Sequence, residues 1–411
     1  MENKTPLVIA ADAWAADEVG GAFKIASDFA VFCAKNGREV HYLCCDTKRT
    51  GEKTARHEGV TVWRYPRPAS SGTTGIANFL SHMKGAGAAL RDLCEAVNRE
   101  FVLNGHGHLP YFAGLHRRDI RITRRVMSVH SPLAEEYAAN REGGALELRA
   151  KAVHWGFRQI EKKCYRKSDL VQCFSQYTAS LLSREFAVET SGRIAVCPGY
   201  VDFERMSVRL SRQEARLKLR SAFWRTDDVC FFSLRRHTKR MGLDNLIRAF
   251  AWVKRSAASS LPKFRLILAG DGPETGQLKA LAGSMALSDD IHFPGRIEES
   301  EKALHYRAAD CFVLPTRALE GFGLIVLEAF AAGTPIIATP VGAIPEVLGE
   351  FGAESLTSGT EAEDIGRAML TFLSSRPEND DREEARRRYA QTFDKARVLS
   401  RLELAIMGDQ P

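Results

Sequence analysis

The most constraining feature of this sequence is an alternation of short apolar runs with longer amphipathic stretches, which occurs in two successive series. The first series begins with PLVIAAD at residues 6–12, and the second begins with VCFFSLRR at residues 229–236. A polar, charged segment from Val201 to about Arg225 separates them and is interpreted as a linker with a lead-in helix. Because parallel strands are joined by crossover helices, this alternation predicts parallel sheets flanked by helices.

We therefore predict an α/β protein with two Rossmann-like, doubly wound parallel-sheet domains that face an interdomain cleft. The predicted boundaries are 1–203 and 204–380, and a tail helix at 381–411 is expected to cross back to the N-terminal domain. Ligands of such sheets bind beyond the carboxyl ends of the strands, so the cleft is the expected site. A nicotinamide-dependent dehydrogenase is disfavoured, because no G-x-G-x-x-G follows the first strand.

Composition narrows the function classes further. The formal net charge of +7 is too small to argue for nucleic acid as a partner. No window approaches the ~18 consecutive apolar residues of a membrane span, and the opening residues are interpreted as a strand, not a signal peptide. The nine cysteines contain no C-x-x-C pair, which favours reduced thiols and a cytoplasmic location.

The segment Glu320-Gly321-Phe322-Gly323 joins a predicted strand to a predicted helix. Its glycines allow a tight turn with exposed N–H groups, and a helix N-terminus attracts anions such as phosphate. Glu328 lies in the second turn of that helix, which is apolar nearly all round and so is expected to be buried. A buried acid is costly unless it is paired. The two carboxylates therefore suit a polyol ligand beside a phosphate, and solvated acids near a helix dipole are the alternative.

The segment EGFGLIVLEAFAAGTPIIATPVGAIPEVL resembles the signature of retaining glycosyltransferases of family 4, which have the GT-B fold and a Glu-x7-Glu motif. FRLILAGDGPE, IHFPGR and VCPGYVDFERM resemble further elements of that family in order and spacing, and Gly20-Gly21 matches its N-terminal Gly-Gly loop. The resemblance covers essentially the whole chain. It is specific in residues 229–348 and weak in 40–100.

The basic loop from Ser233 to Gly242 departs from the family pattern Gly-Arg-Leu-x-x-x-Lys-Gly. Arg236 matches the family arginine, but Met241 stands in the place of the lysine. The resemblance implies that this arginine and lysine clasp the donor's diphosphate, so Arg240 or Lys239 is expected to compensate. If the loop is extended, alternate residues face the same side, which favours Arg236 with Arg240.

Histidines end two strands of the first series. His106 aligns with the second histidine of the family's His-x-His strand end, and His130 closes the next strand. Structural, hydrogen-bonded histidines are the alternative. No Asp-x-Asp motif occurs and His106-Gly-His108 alone is a weak metal signal, so metal-independent chemistry without a cofactor is expected.

The resemblance implies a retaining hexosyltransferase that moves a sugar from a UDP- or GDP-sugar to an acceptor hydroxyl, in glycan, glycolipid or cell-surface polysaccharide biosynthesis. The implied catalytic residues are Glu320, His106 and Arg236. The implied donor-binding residues are Gly20, Gly21, Arg236, Arg240, Arg296, Gly321, Phe322, Gly323, Leu324 and Glu328, with His130 and Lys239 as further candidates. Glu328 would hold the ribose hydroxyls, and Arg296 would lie near the base. An inactive GT-B binding subunit, a phosphorylase and an epimerase are the alternatives.

Basic residues concentrate at 117–125 and in the predicted helix at 145–167, where Trp155 and Phe157 are interleaved. Such a face is typical of a helix that lies on an anionic membrane, but an ordinary solvated face has the same composition. The membrane interpretation suits a lipid-linked acceptor and a peripheral position at the inner face of the membrane.

Overall fold

The chain divides into two compact units, each built on its own sheet. A computed structural model describes residues 4–17, 20–67, 75–115, 121–140, 148–188, 190–219, 223–225, 227–256, 261–375 and 382–408. The first unit comprises Met1–Ala138, Ala145–Gly199 and Ala396–Pro411, and the second comprises Ala139–Gly144 and Tyr200–Lys395.

The first unit contains a sheet of short, buried strands. These are β1 (Leu7–Ala10), β2 (Val40–Asp46), β3 (Thr54–His57), β4 (Val60–Pro66), β5 (Phe101–Gly105), β6 (Ile122–Val129), β7 (Leu170–Cys173) and β8 (Ile194–Val196). Their spatial order is β3-β4-β2-β1-β5-β6-β7-β8, and every pair is parallel except β3 with β4. The connecting helices are α1 (Gly21–Lys35), α2 (Gly75–Val97), α3 (His108–Leu115), α4 (Leu133–Ala139), α5 (Leu148–Lys167), α6 (Gln176–Phe186) and α7 (Thr190–Arg193).

The second unit repeats the arrangement with a fully parallel sheet. Its strands are β9 (Val229–Leu234), β10 (Phe264–Ala269), β11 (Ile291–Gly295), β12 (Cys311–Leu314) and β13 (Ile336–Ala338), in the order β11-β10-β9-β12-β13. Its helices are α8 (Phe203–Met206), α9 (Arg212–Leu219), α10 (Leu243–Ser256), α11 (Thr275–Ser284), α12 (Lys302–Ala308), α13 (Leu324–Ala331), α14 (Ile344–Leu348), α15 (Gly352–Ser355), α16 (Ala362–Ser374) and α17 (Glu383–Gln391), and 3₁₀ turns form at Lys239–Met241 and Gly349–Phe351.

Apolar periodicity explains how the helices attach to these sheets. In α10, Leu243, Leu246, Ile247 and Phe250 follow one another at helical spacing and are all buried in the core of the second unit. This is the stripe that a surface helix presents to a sheet. The predicted fold class, two Rossmann-like parallel-sheet domains, is confirmed.

The predicted lead-in helix is α9, which is tied to the second sheet by a buried arginine. Arg216 is buried and pairs with the buried carboxylate of Asp310, and its Nε also donates to the carbonyl of Ala308 at 2.9 Å. Removing one partner of a buried ion pair costs about 3–5 kcal/mol, so this contact fixes the start of the second unit.

The tail is not one helix. It is split into α17 and α18 (Lys395–Met407), because residues 393–395 pair with Val201 instead of continuing the helix. The N–H of Val201 donates to the carbonyl of Phe393, and the N–H of Lys395 donates to the carbonyl of Val201, both at 3.0 Å. Helix α17 packs on α13 in the second unit, and α18 belongs to the first unit.

Within the described ranges, no helix has both the length and the apolar character that a transmembrane span needs.

Candidate functional site

Two loops at the carboxyl ends of β9 and β12 bring Arg235 and Glu320 together. Arg235 is the first residue after β9, and its Nη2 donates to Oε2 of Glu320 at 2.7 Å and to Oγ1 of Thr316 at 3.3 Å. The two side chains are only 7% and 15% exposed. A charge pair shielded from water in this way is stronger than one at the surface, so Glu320 is held in a fixed position.

The loop from Glu320 leads into the N-terminus of α13, as the sequence predicts. Gly323 is the residue before the helix and has a left-handed backbone with φ 86°, and no side chain caps the helix. The first turn therefore presents the N–H groups that begin at Gly323 and Leu324, which is an arrangement that suits an anion. Gly321 and the buried Phe322 complete the turn between Glu320 and the helix.

Two further glycines allow these loops to pack backbone against backbone. Gly242 (φ 69°) and Gly342 (φ 61°) both have left-handed backbones. A Cβ on Gly242 would overlap the carbonyl oxygen of Pro315, and one on Gly342 would overlap that of Glu320. Only glycine fits at such a distance, so both positions shape the turn that carries Glu320.

Glu328, the second carboxylate, lies in α13, and each of its two oxygens is contacted by a side chain of α12. Its Oε1 accepts from Nζ of Lys302 at 2.7 Å, and its Oε2 accepts from the hydroxyl of Tyr306 at 2.9 Å. Burial acts to lower the pKa of Lys302, but the carboxylates of Glu328 and Glu299 outweigh it and raise that pKa above its usual value. The expectation that an acid in this buried helix must be paired is met by these two contacts.

The basic loop is not extended, so the alternation argument for its side chains was wrong. Lys239–Met241 forms a 3₁₀ turn that ends at Gly242, and residues of such a turn do not alternate between two faces. Arg240 donates from Nη1 to the carbonyl of Leu319 at 2.8 Å and so contacts the residue before Glu320. Arg236 is exposed. The phosphate-binding roles of Arg236, Arg240 and Lys239 stay predictions.

Arg296 follows β11 directly and is exposed near the loop after β10. The pKa of Asp271 in that loop is lowered, first by the N–H of Gly272, next by the hydroxyl of Thr275 and further by the positive charge of Arg296. Arg296 therefore lies at the same edge of the second sheet as the other candidates. Its predicted proximity to the nucleotide base stays a prediction.

In the first unit, the predicted histidines meet at the ends of β5 and β6. His106 Nδ1 lies 2.9 Å from His130 Nε2, and His106 Nε2 lies 2.8 Å from Oδ1 of Asn104. The amide nitrogen of Asn104 donates to Oγ of Ser128 at 3.0 Å and to the carbonyl of Val126 at 3.3 Å, which fixes the amide oxygen toward His106. His106 therefore carries its proton on Nε2 and accepts at Nδ1 from His130.

Both rings are neutral, because burial lowers the pKa of His106 well below its usual range and that of His130 to about 3. Both nitrogens of His106 are bonded inside the unit, so it can act on a ligand only through His130. The Gly20-Gly21 pair stands at the start of α1, where Gly20 has an extended backbone with φ 174°. The ligand contacts predicted for His106, His130, Gly20 and Gly21 stay predictions.

Sequence reasoning missed several residues that complete these sites. Four residues that contact the predicted ones are absent from the predicted set: Arg235, Lys302, Tyr306 and Asn104. The position of Arg235 directly after a strand was the available signal, because strand ends face the binding edge. Among the described residues, no group of three or more His, Cys, Asp or Glu side chains is arranged to hold a metal ion.

Comparison with known proteins agrees with the family resemblance. The model of Glycosyltransferase Family 4 matches residues 19–205, and that of Glycosyl transferases group 1 matches residues 216–391. A GDP-mannose-dependent alpha-(1-6)-phosphatidylinositol monomannoside mannosyltransferase of Mycolicibacterium smegmatis is 27% identical, over 59% of this chain and 65% of that enzyme. The alpha-monoglucosyldiacylglycerol synthase of Streptococcus pneumoniae is 31% identical, over 51% of this chain and 46% of that enzyme.

This chain thus matches less than two thirds of the length of either relative. Among solved structures, a sucrose-phosphate synthase from Thermosynechococcus elongatus has the same fold, with a TM-score of 0.80, 19% identity and 98% of each chain covered. The two family models together account for both units, and the Glu320–Glu328 motif lies in the second. The chain belongs to glycosyltransferase family 4 and has the GT-B fold.

Proposed function

We propose that this protein is a retaining glycosyltransferase that moves a sugar from a nucleotide-diphosphate sugar to an acceptor hydroxyl. The observation that carries this proposal is the pair of engaged carboxylates in the second unit. Glu320 is paired with Arg235 and Glu328 with Lys302, and both stand at the carboxyl edge of the parallel sheet beside an uncapped helix N-terminus. This combination of groups suits a phosphate and two sets of sugar hydroxyls.

Glu328 is assigned to the ribose hydroxyls. An ionised carboxylate has about four acceptor sites, and Lys302 and Tyr306 occupy one on each oxygen. The remaining sites can accept from the 2′- and 3′-hydroxyls. Lys302 holds the carboxylate in a fixed orientation, so the ribose finds an acceptor that is already in place.

The diphosphate is assigned to the basic loop and the start of α13. Arg240 is anchored on the loop that carries Glu320, and the N–H groups of Gly323 and Leu324 begin the helix. Positive groups that are fixed before the reaction stabilise a leaving phosphate without reorganising. Glu320 is assigned to the hydroxyls of the transferred sugar, and Arg235 holds it there.

A front-face reaction fits these assignments. The bond from the anomeric carbon to the phosphate oxygen breaks, and the acceptor oxygen bonds to that carbon on the same face. The departing phosphate takes the acceptor's proton. Because Glu320 is engaged by Arg235, it acts as an orienting group and not as the nucleophile. We assign no metal or cofactor to this reaction.

A GDP-sugar donor is supported by the name of the mannosyltransferase, and a glycolipid acceptor by the names of both relatives and by the surface of α5. Leu148 and Trp155 on this helix are 86% and 65% exposed, and Lys151 and Lys163 are exposed beside them. The helix's only acid, Glu161, is buried and accepts from the N–H groups that begin α4. An apolar and cationic surface of this kind suits peripheral contact with an anionic membrane, and nine free cysteines suit the cytoplasm.

The membrane contact can be tested by sedimentation with phosphatidylglycerol vesicles. The double variant L148S/W155S should lose binding, whereas L217S, which changes an equally exposed leucine on α9 of the second unit, should not. Equal binding by all three proteins would contradict the assignment to α5.

The enzymatic function can be tested by thermal-shift screening against UDP-, GDP- and ADP-sugars, followed by product analysis with the donor that binds. Hydrolysis or transfer with an α-configured product from an α-configured donor is expected. Donor binding without turnover would favour an inactive binding subunit. Turnover that needs free phosphate would favour a phosphorylase, and sugar isomerisation would favour an epimerase.

A further inference from the structure

We infer that Arg235 is the residue that compensates for the missing lysine at position 241, by binding the donor's phosphates and positioning Glu320. This inference rests on the proposed function, because it names a residue of the same donor site. It differs from the sequence prediction, which gave the compensating role to Arg240 or Lys239.

The first argument is the state of the Arg235 side chain. All its hydrogen bonds to described residues are made by Nη2, which contacts Glu320 and Thr316. Its Nε is buried and has no hydrogen-bond partner among the described residues. A guanidinium has five N–H donors, and a buried donor without a partner costs about 1–3 kcal/mol. A ligand oxygen that accepts from this Nε would remove this cost.

The second argument is the position of Met241. Its Sδ lies 2.7 Å from Nη2 of Arg235, and its side chain is packed into the apolar core of the second unit. A lysine at position 241 would therefore start beside the Arg235 guanidinium and would repel it. In the pattern Gly-Arg-Leu-x-x-x-Lys-Gly, the residue at position 235 is glycine. At positions 235 and 241 the pattern has glycine and lysine, whereas this chain has arginine and methionine. The positive charge thus stands at position 235 instead of position 241, and the two side chains are in contact.

The third argument concerns the other cations of the loop. Arg240 donates to the carbonyl of Leu319 and so braces the loop's backbone. Arg236 is exposed to solvent, and Lys239 begins the 3₁₀ turn. Arg235 contacts a carboxylate of the Glu-x7-Glu motif directly. Its charge is therefore placed to act on the phosphate and on the sugar together.

The experiment is a charge swap read out by calorimetry with GDP, GMP, UDP and UMP. The variant R235A should bind the preferred nucleoside diphosphate about tenfold more weakly or worse, with a much smaller loss for the monophosphate. The swapped double variant R235G/M241K should recover most of the lost affinity, whereas M241K alone should be impaired. R248A, which removes an exposed arginine of α10, is the matched control.

The ratio of diphosphate to monophosphate affinity separates phosphate binding from a purely structural role, because a folding defect would weaken both nucleotides alike. Unchanged diphosphate affinity in R235A, or a larger loss in K239A, would overturn the inference. Failure of the double variant to exceed R235G would do the same. If the wild-type protein itself binds neither diphosphate, the proposed function fails, whatever Arg235 does.

Discussion

The two sheets carry different side-chain clusters at the carboxyl ends of their strands. In the second sheet, Arg235 pairs with Glu320 and Lys302 pairs with Glu328. In the first sheet, His106 lies between Asn104 and His130. Both clusters occupy the same place in a parallel sheet, yet one is ionic and the other is neutral. Ion pairs keep charged groups at a buried edge where a charged ligand is expected. A neutral network instead fixes the direction of each proton, which suits a ligand that offers hydroxyls.

The largest effect is expected for the ionic cluster. Replacing Glu328 by Gln keeps the side chain's shape but removes its charge and one acceptor, so nucleotide affinity should fall by about 1.5–3 kcal/mol, which is roughly 10- to 150-fold. Calorimetry with the preferred nucleoside diphosphate measures this loss. E363Q, which neutralises an exposed acid of α16, is the control. An E328Q protein that binds as tightly as wild type would refute the ribose assignment.

A smaller effect is expected from lowering the pH, which acts on the buried histidines of the first unit. Burial lowers the pKa of His130 to about 3 and that of His108 to about 4, from an ordinary value of 6.5. The unfolded chain therefore takes up protons below pH 6.5 that the folded chain does not. The contribution of each histidine to the free energy of unfolding is complete above pH 6.5. It falls by about 1.4 kcal/mol per pH unit as the pH falls below that value.

The contribution of Glu161 to stability changes with pH in the opposite direction. Burial raises its pKa to about 7, so the folded chain keeps that proton to higher pH than the unfolded chain does. Its contribution is present at low pH and is lost as the pH rises toward 7, so it offsets one histidine. Urea unfolding at pH 6.5 and 5.5 should show a net loss of about 1 kcal/mol from these groups. H130Q should reduce that loss, and H57Q, at an exposed position, should not. A profile that is flat in wild type would contradict neutral histidines.

The smallest effect is expected from chelation. Arg240, Arg235 and the start of α13 supply the positive charge for the phosphates, so EDTA should leave the turnover rate unchanged. The measurement is the initial rate with and without EDTA, after dialysis. Complete loss of activity, restored by Mn²⁺ or Mg²⁺, would show that the ionic cluster serves as a metal site instead.

The sequence predicted those parts of the molecule that depend on local pattern. The alternating apolar runs predicted both sheets, and the two glycines after Glu320 predicted the turn into α13. The pairing of Arg235 with Glu320 joins residues 85 positions apart, and no local pattern specifies it. The loop's 3₁₀ turn was missed because it depends on Gly242 fitting against Pro315. The split in the tail depends on Val201, which lies 192 positions before Phe393.

The placement of α18 in the first unit has a consequence for the order of synthesis. Residues 1–199 supply every strand of the first sheet, but the carboxylate of Glu403 that bonds to Arg38 comes 365 residues after it. The second unit is nearly continuous in the chain and is completed earlier. A nascent chain therefore completes its second unit before its first, and the apolar surface that Val398, Leu399 and Leu402 cover stays open until these residues are made. A chain truncated before α18 would lose this cover on the half of the protein that is made first.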